Sequence, residues 1–218
     1  MTIFDILGPV MVGPSSSHTA GAVRIGLAGR KLLGETVAEA VITLSGSFAS
    51  TGKGHGTDRA LVAGLLGMEP DDLRIPNSFQ EAEKMGLKAV FLHADLDGAH
   101  PNTAFLQLTA NSGKTLQMQA ASLGGGRILI NQLNGVRIDV TGERPVLIIR
   151  NIDQPGYVSR VATAMAAEQV NIATMTLHRD KRGGDAVMVI ETDQNIPAAA
   201  VERLNEVHGI FKVTCLNL

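Results

Sequence analysis

The chain has 218 residues, 44% of them apolar and 18% charged, which suits one large domain or two modest ones and argues against disorder. Its 19 basic and 21 acidic residues leave a net charge of -2, no electrostatic footprint for a nucleic-acid partner. No apolar run nears the roughly 18 residues needed to span a bilayer, and the N-terminus lacks the pattern of a secretory leader. No membrane partner is expected, and the chain reads as cytoplasmic. The one cysteine, Cys215, rules out an intrachain disulfide and cannot supply the several thiolates that hold an iron–sulfur cluster. Any cluster must be completed by another polypeptide. Cys215 lies in an apolar strand pattern and is expected to be buried.

In chain order, a helix opens after His18 and runs through Leu27 to Leu33. Ala38 to Leu44 alternates like a strand. Leu61, Val62, Leu65 and Leu66 repeat at helical spacing within Thr57 to Leu66. A short helix over Ser78 to Met85 and a strand over Lys88 to His93 follow. Thr103 to Ala110 and Lys114 to Ser122 flank the hairpin signal Asn111-Ser112-Gly113. Arg127 to Leu133 and Val136 to Val140 are further strands. Thr141-Gly142-Glu143-Arg144-Pro145 is a polar linker. It divides residues 1–140 from a compact βαββαβ pattern over residues 145–218. There, Val146 to Arg150, Asn171 to His178, Ala186 to Glu191 and Ile210 to Leu216 are strands. Val158, Val161, Ala162, Met165 and Ala166 mark one helix, and Pro197, at a first helical position, opens the other.

Two loops could carry chemistry. Gly13-Pro14-Ser15-Ser16-Ser17-His18-Thr19 crowds hydroxyls around a histidine just before a helix. One reading is a well-capped helix solvated by serines. The other places an anion on the free N–H groups of the first turn, with the Ser16, Ser17 or Thr19 hydroxyls helping and His18 exchanging protons. The second loop, Ser45 to Asp58, tempts one to read a phosphate-binding P-loop. That fails, because five residues rather than four separate Gly46 from Gly52, and Gly54 follows Lys53 where Ser or Thr should stand. What remains is a glycine-rich bend leading through His55-Gly56-Thr57-Asp58 into a helix, which Thr57 or Asp58 could cap. His93 and His100 near Asp95 and Asp97 read as a solvated loop rather than a metal site. Gly124-Gly125-Gly126 fits either a close backbone approach or a strand-end bulge.

Ile3-Phe4-Asp5-Ile6-Leu7-Gly8-Pro9, Gly13 to Thr19, and Thr51-Gly52-Lys53-Gly54-His55-Gly56-Thr57-Asp58 resemble the beta component of bacterial iron–sulfur L-serine dehydratases. His100-Pro101-Asn102-Thr103 and Gly124-Gly125-Gly126 look like positions of the same family. Asn151 to Gly156 and Val170 to Ala173 resemble an ACT domain. The resemblance implies an α/β (α+β) protein: an N-terminal domain like the allosteric-substrate-binding fold of some phosphoglycerate dehydrogenases, then a ferredoxin-like ACT domain. It implies deamination of L-serine to pyruvate and ammonia, with a 4Fe-4S cluster held by a separate alpha subunit acting as Lewis acid on the substrate hydroxyl. It also implies site roles. His18 is the first choice for base or proton shuttle, with Ser16 and Ser17 beside it. Ser15, Thr19, Thr51, Gly52, His55, Gly56, Thr57 and Asp58 would bind substrate. The ACT domain would pair with its own copy and hold a small amino acid through Asn151, Asp153, Gln154, Pro155, Gly156, Val158, Asn171 and Ile172. A rival reading keeps both modules but no chemistry, as an amino-acid-sensing regulatory protein.

Overall fold

The computed structural model describes residues 10–179 and 181–218. The motif Ile3 to Pro9 lies outside the described residues. The chain divides into two compact units at Gly135/Val136.

Among the described residues, the first element of the first unit is a π-helical turn, Ser16–Gly21, that runs into α1 (Ala22–Leu33). Then come β1 (Val37–Ser45), two short helices α2 (Gly46–Ser50) and α3 (Gly52–His55), and α4 (Thr57–Leu66). After α5 (Ser78–Met85) come β2 (Lys88–His93), β3 (Asn102–Ala110), β4 (Thr115–Gly124) and β5 (Arg127–Leu133). The loop expected between Ser45 and Asp58 is therefore mostly helical, each of its two turns too short to show a period in sequence. The unit's five strands lie in the order β2-β1-β3-β4-β5. Only β1 and β2 pair in parallel, because α2 to α5 fill the crossover between them.

Alternation along the strands sets the core. Ile42, Leu44, Ala104, Leu106, Leu108, Leu116, Met118 and Ala120 are all buried. Gly29 of α1 faces Leu106, Leu108 and Met118, so α1 lies directly on β3 and β4. Helix α4 reaches α1 through two glycines. A Cβ on Gly26 would stand 2.3 Å from the Leu61 carbonyl oxygen, and one on Gly64 would stand 2.0 Å from that of Val23. Only glycine permits this backbone contact.

The second unit holds β6 (Val136–Val140), β7 (Val146–Ile152), α6 (Tyr157–Ala167), β8 (Ile172–Arg179), β9 (Asp185–Thr192), α7 (Ala198–Asn205) and β10 (Ile210–Leu216). From β7 onward this is the expected βαββαβ order, forming an antiparallel sheet β10-β7-β9-β8. Leu147, Ile149, Met188 and Ile190 of the central strands pack on Val161, Met165 and Leu204 of the helices. Two expectations need correction. Pro197 keeps extended backbone at φ -63, ψ 146 and precedes α7 as its N-cap rather than filling its first position. Cys215 is exposed on the edge strand β10, although it pairs with the core residue Leu147 and shares a face with Val213, two residues before it. Partial burial still raises the thiol's pKa, which keeps it protonated near neutrality.

Candidate active site

The glycine contact between α1 and α4 builds the site. Gly26 meets Leu61 and Gly64, Gly64 meets Val23, and the Thr57 hydroxyl donates to the His18 carbonyl at 3.0 Å. From Thr57 on His18 at their starts, through Gly64 on Gly26, to Gly67 and Leu65 on Arg30 at their ends, contacts advance in the same sense, so the helices run parallel. The π-helical turn that leads into α1 and the start of α4 therefore lie together, and their positive dipole ends favour a bound anion. The two polar loops of the sequence meet at these ends.

His18 and His55 face each other with ring centroids 5.0 Å apart. His18 also packs edge-on to Phe48 at 5.3 Å. Its Nε2 lies 3.1 Å from the Ser47 hydroxyl and 3.2 Å from that of Thr51, and those hydroxyls lie 3.2 Å apart. Burial lowers the pKa of His18, and neighbouring His55 lowers it further, so the ring favours its neutral form at neutral pH. His55 Nδ1 lies 3.1 Å from the Thr51 carbonyl oxygen. A carbonyl can only accept, so this bond puts the proton on Nδ1 and the lone pair on Nε2.

The other candidate residues separate by what their atoms already bond. Ser15 caps the π-helical turn, its hydroxyl accepting the His18 N–H at 3.1 Å. Thr19 and Thr57 are buried, and each donates its hydroxyl to the opposite loop: Thr19 to the His55 carbonyl at 3.2 Å, Thr57 to that of His18. They tie the two histidine loops together. Gly52 is buried against Thr57, and Gly56 takes the left-handed conformation at φ 72 that ends α3. Asp58 accepts the Arg59 N–H through its own side chain at 2.8 Å. Ser16 and Ser17 are half-buried in the turn, with the Ser17 hydroxyl facing Gly124. Gly124, Gly125 and Gly126 all have positive φ: Gly125 and Gly126 make the two-residue turn between β4 and β5, the register shift between Ser122 and Gly124 is a bulge beside it, and Gly124 lies against the serine turn.

Several residues to which sequence reasoning gave no role join the site. Ser47 and Phe48 hold the His18 ring; their signal was the i, i+4 spacing of Ser47 and Thr51, legible only once α2 is known to be helical. Asn102 opens β3 opposite Gly46 and donates from Nδ2 to the Ser122 carbonyl at 3.5 Å. Its Oδ1 and the Ser122 hydroxyl are buried without partners. A cavity of about 330 Å³ beside His55 is lined in part by Thr19, Lys53, Gly56, Asp58 and Arg59. His93 and His100 are exposed, and among the described residues no three His, Cys, Asp or Glu side chains gather as a metal site.

Comparison with known proteins decides the family. The family model described as serine dehydratase beta chain matches residues 2–132. The probable L-serine dehydratase beta chain of Bacillus subtilis is 40% identical over 213 residues, covering 98% of this chain and 96% of that one. The chain belongs to the serine dehydratase beta-chain family. The L-serine dehydratase beta chain of Peptoniphilus asaccharolyticus is 38% identical, over 88% of this chain and 86% of its own. The ACT family model matches residues 145–209. D-3-phosphoglycerate dehydrogenase of Methanocaldococcus jannaschii is 28% identical over 52% of this chain but only 22% of its own. The chain has one cysteine, Cys215, which lies beyond the residues matched by the ACT model and cannot alone supply the several thiolates that hold an iron–sulfur cluster. Among the described residues no helix is long and apolar enough to cross a membrane.

In the ACT domain of this beta chain, the expected effector residues fall at two ends of the sheet. Asn151 pairs with Ala186, whereas Ile172 pairs with Thr192 at the far end of β9. Strand β8 separates Asn171 and Ile172 from the Asp153 end by roughly 25 Å. Asp153 is already paired with Arg179 at 2.9 Å and accepts the Gly183 N–H, contacts that hold its carboxyl below the usual range. Gln154, Pro155, Gly156 and Val158 are exposed at the start of α6. Asn151 is buried with its Oδ1 unpaired, and Asn171 donates to Asp193 at 2.6 Å.

Proposed function

We propose that this chain is the beta subunit of an iron–sulfur L-serine dehydratase, and that it deaminates L-serine only together with an alpha subunit carrying the 4Fe-4S cluster. Relatives named L-serine dehydratase beta chain match nearly its whole length, which supports the substrate and the partner. They also weigh against a sensor without chemistry. The single cysteine supports placing the cluster on another chain.

β-Elimination removes the Cα proton and expels the Cβ hydroxyl as water. The C–H electrons become the new double bond, and hydrolysis of the resulting enamine releases pyruvate and ammonia. This chain's part is to orient serine and move the proton. The observation that carries the assignment is the facing pair of histidines with their nitrogens separately committed. His55 Nε2, its lone pair exposed by the Nδ1 bond, takes the Cα proton. His18, clamped by Ser47, Thr51 and Phe48, positions the site and passes protons; this shifts the base role from His18, the first choice from sequence. Ser16 and Ser17 line the half-buried turn beside it, and the parallel helix starts hold the carboxylate. In the assembled enzyme, His55→Asn should lower kcat at least ~100-fold, in the range expected for a lost general base. It should also abolish solvent exchange of the Cα proton, while His18→Asn retains that exchange. Normal exchange in His55→Asn refutes the assignment.

The ACT domain pairs two copies through the open edge of β8. Antiparallel pairing carries the partner copy's start of β8 to the Asn151 end, which joins the two halves of the effector pocket across the pair. The occupant is a small amino acid.

A further inference from the structure

The mechanism above leaves the substrate carboxylate without a charged side chain to meet it. The Thr19 and Thr57 hydroxyls donate to backbone carbonyls, and the Ser15 hydroxyl, which accepts the His18 N–H, is neutral. We infer that Lys53 is the residue that binds the carboxylate of the substrate and so sets the orientation of its Cα–H toward His55. The inference rests on the functional reading above and adds to it a specificity residue.

Three observations carry it. Lys53 shares the four-residue helix α3 with His55, and its backbone is held in place. Its carbonyl accepts the Gly56 N–H, and the carbonyl of His55 accepts the Thr19 hydroxyl. Second, Lys53 lines the same cavity of about 330 Å³ as His55, so a cation and a base border one volume. It also lines a recess of about 240 Å³ whose wall holds Leu44, Phe48 and Phe91 beside Asp58 and His93, and the apolar part of that wall gives its aliphatic stem a bed. Third, the charge is uncommitted. Lys53 has no ion-pair partner among the described residues, whose seven ion pairs lie elsewhere. Asp58, the one carboxylate in the cavity wall, is bonded to the Arg59 N–H. With Lys53 and Arg59 against Asp58, the wall carries a net positive charge, suited to a small acid. An ammonium that meets the carboxylate from α3, two residues before His55, fixes one end of a three-carbon substrate next to the base.

The test is steady-state kinetics of the enzyme assembled from this chain and its alpha subunit, wild type against Lys53→Met and Lys53→Arg. A charge-assisted hydrogen bond of ordinary strength makes Lys53→Met raise KM for L-serine at least ~10-fold, more than it lowers kcat. Lys53→Arg should recover most of that loss. Inhibition separates the carboxylate from the rest of the ligand: Ki for D-serine rises with KM, whereas Ki for L-serinamide, which has a neutral amide there, does not change. An unchanged KM in Lys53→Met, or equal weakening of both inhibitors, overturns the role of Lys53 and leaves the functional reading standing. A wild-type assembly that does not deaminate L-serine overturns the functional reading, and the role of Lys53 with it.

Discussion

Gly64→Ala tests how the site is built, because two effects of opposite sign meet at one atom. In the middle of α4 an added methyl favours the helix by about 1 kcal/mol. That methyl would lie 2.0 Å from the Val23 carbonyl oxygen, 2.7 Å from the Leu27 nitrogen and 2.9 Å from the Gly26 Cα, all rigid backbone. Ordinary contact at the carbonyl requires the helices to part by roughly 1.4 Å, an overpacking strain that costs about 1–3 kcal/mol. The net expectation is a loss of about 0–2 kcal/mol. The larger consequence is catalytic. His18 precedes α1 and His55 precedes α4, so parting the helices shifts one ring from the other by about an ångström, enough to cost on the order of 100-fold in rate. Gly29→Ala is the control. Its methyl meets only side-chain tips, Leu106 and Leu108 at 3.0 Å and Met118 at 3.6 Å, which can move aside, so both stability and turnover should stay near wild type. Urea unfolding of the full chain and turnover of the assembled enzyme give the two readings. Stability within about 0.5 kcal/mol of wild type together with full turnover in Gly64→Ala would refute the claim that backbone contact of α1 and α4 aligns the site.

Thr57→Val keeps the buried volume but leaves the His18 carbonyl without its donor, and should cost about 1–3 kcal/mol by urea unfolding; an unchanged midpoint contradicts a tie between the loops. Because folding holds the His18 pKa below 6.5, the unfolded chain takes up that proton first on acidification. The chain should therefore lose stability as pH falls through 6.5, and His18→Asn should flatten that part of the profile, as urea midpoints from about pH 8 to about pH 5 would record. In the ACT domain, Asn151→Ala and Asn171→Ala chains should each fail to bind L-serine by calorimetry, while their mixture regains binding at one of the two shared pockets. Silence of the mixture contradicts a pocket completed across copies.

Most elements were legible because their periods were long enough to read. Thr57–Leu66, Ser78–Met85 and Lys88–His93 have the bounds that their apolar spacing implied. The segment Gly46 to His55 escaped because α2 and α3 are one turn each, built from small residues with no apolar stripe. With those turns hidden, the i, i+4 pairing of Ser47 and Thr51 could not be seen, nor could the clamp they form on His18. The motif did point to both histidines, since two polar loops each placed one before a helix. It did not divide their work, because that depends on Nδ1 of His55 meeting the Thr51 carbonyl, a contact set by α3. The meeting of the loops rests on Gly26 and Gly64, and a glycine within a helix reads from sequence only as a weak helix former. Thr19 and Thr57 looked like substrate ligands because hydroxyls near a histidine invite that reading; their complete burial makes them cross-ties.

The central claim is that this chain supplies half of an L-serine dehydratase site. Anaerobic assembly with the alpha subunit, followed by measurement of pyruvate formed from L-serine, tests it most directly. The expected result is pyruvate from the two chains together, none from either alone, and at least ~100-fold less from an assembly carrying His55→Asn. Pyruvate formed by this chain alone, or an iron–sulfur-loaded assembly that forms none, would contradict it.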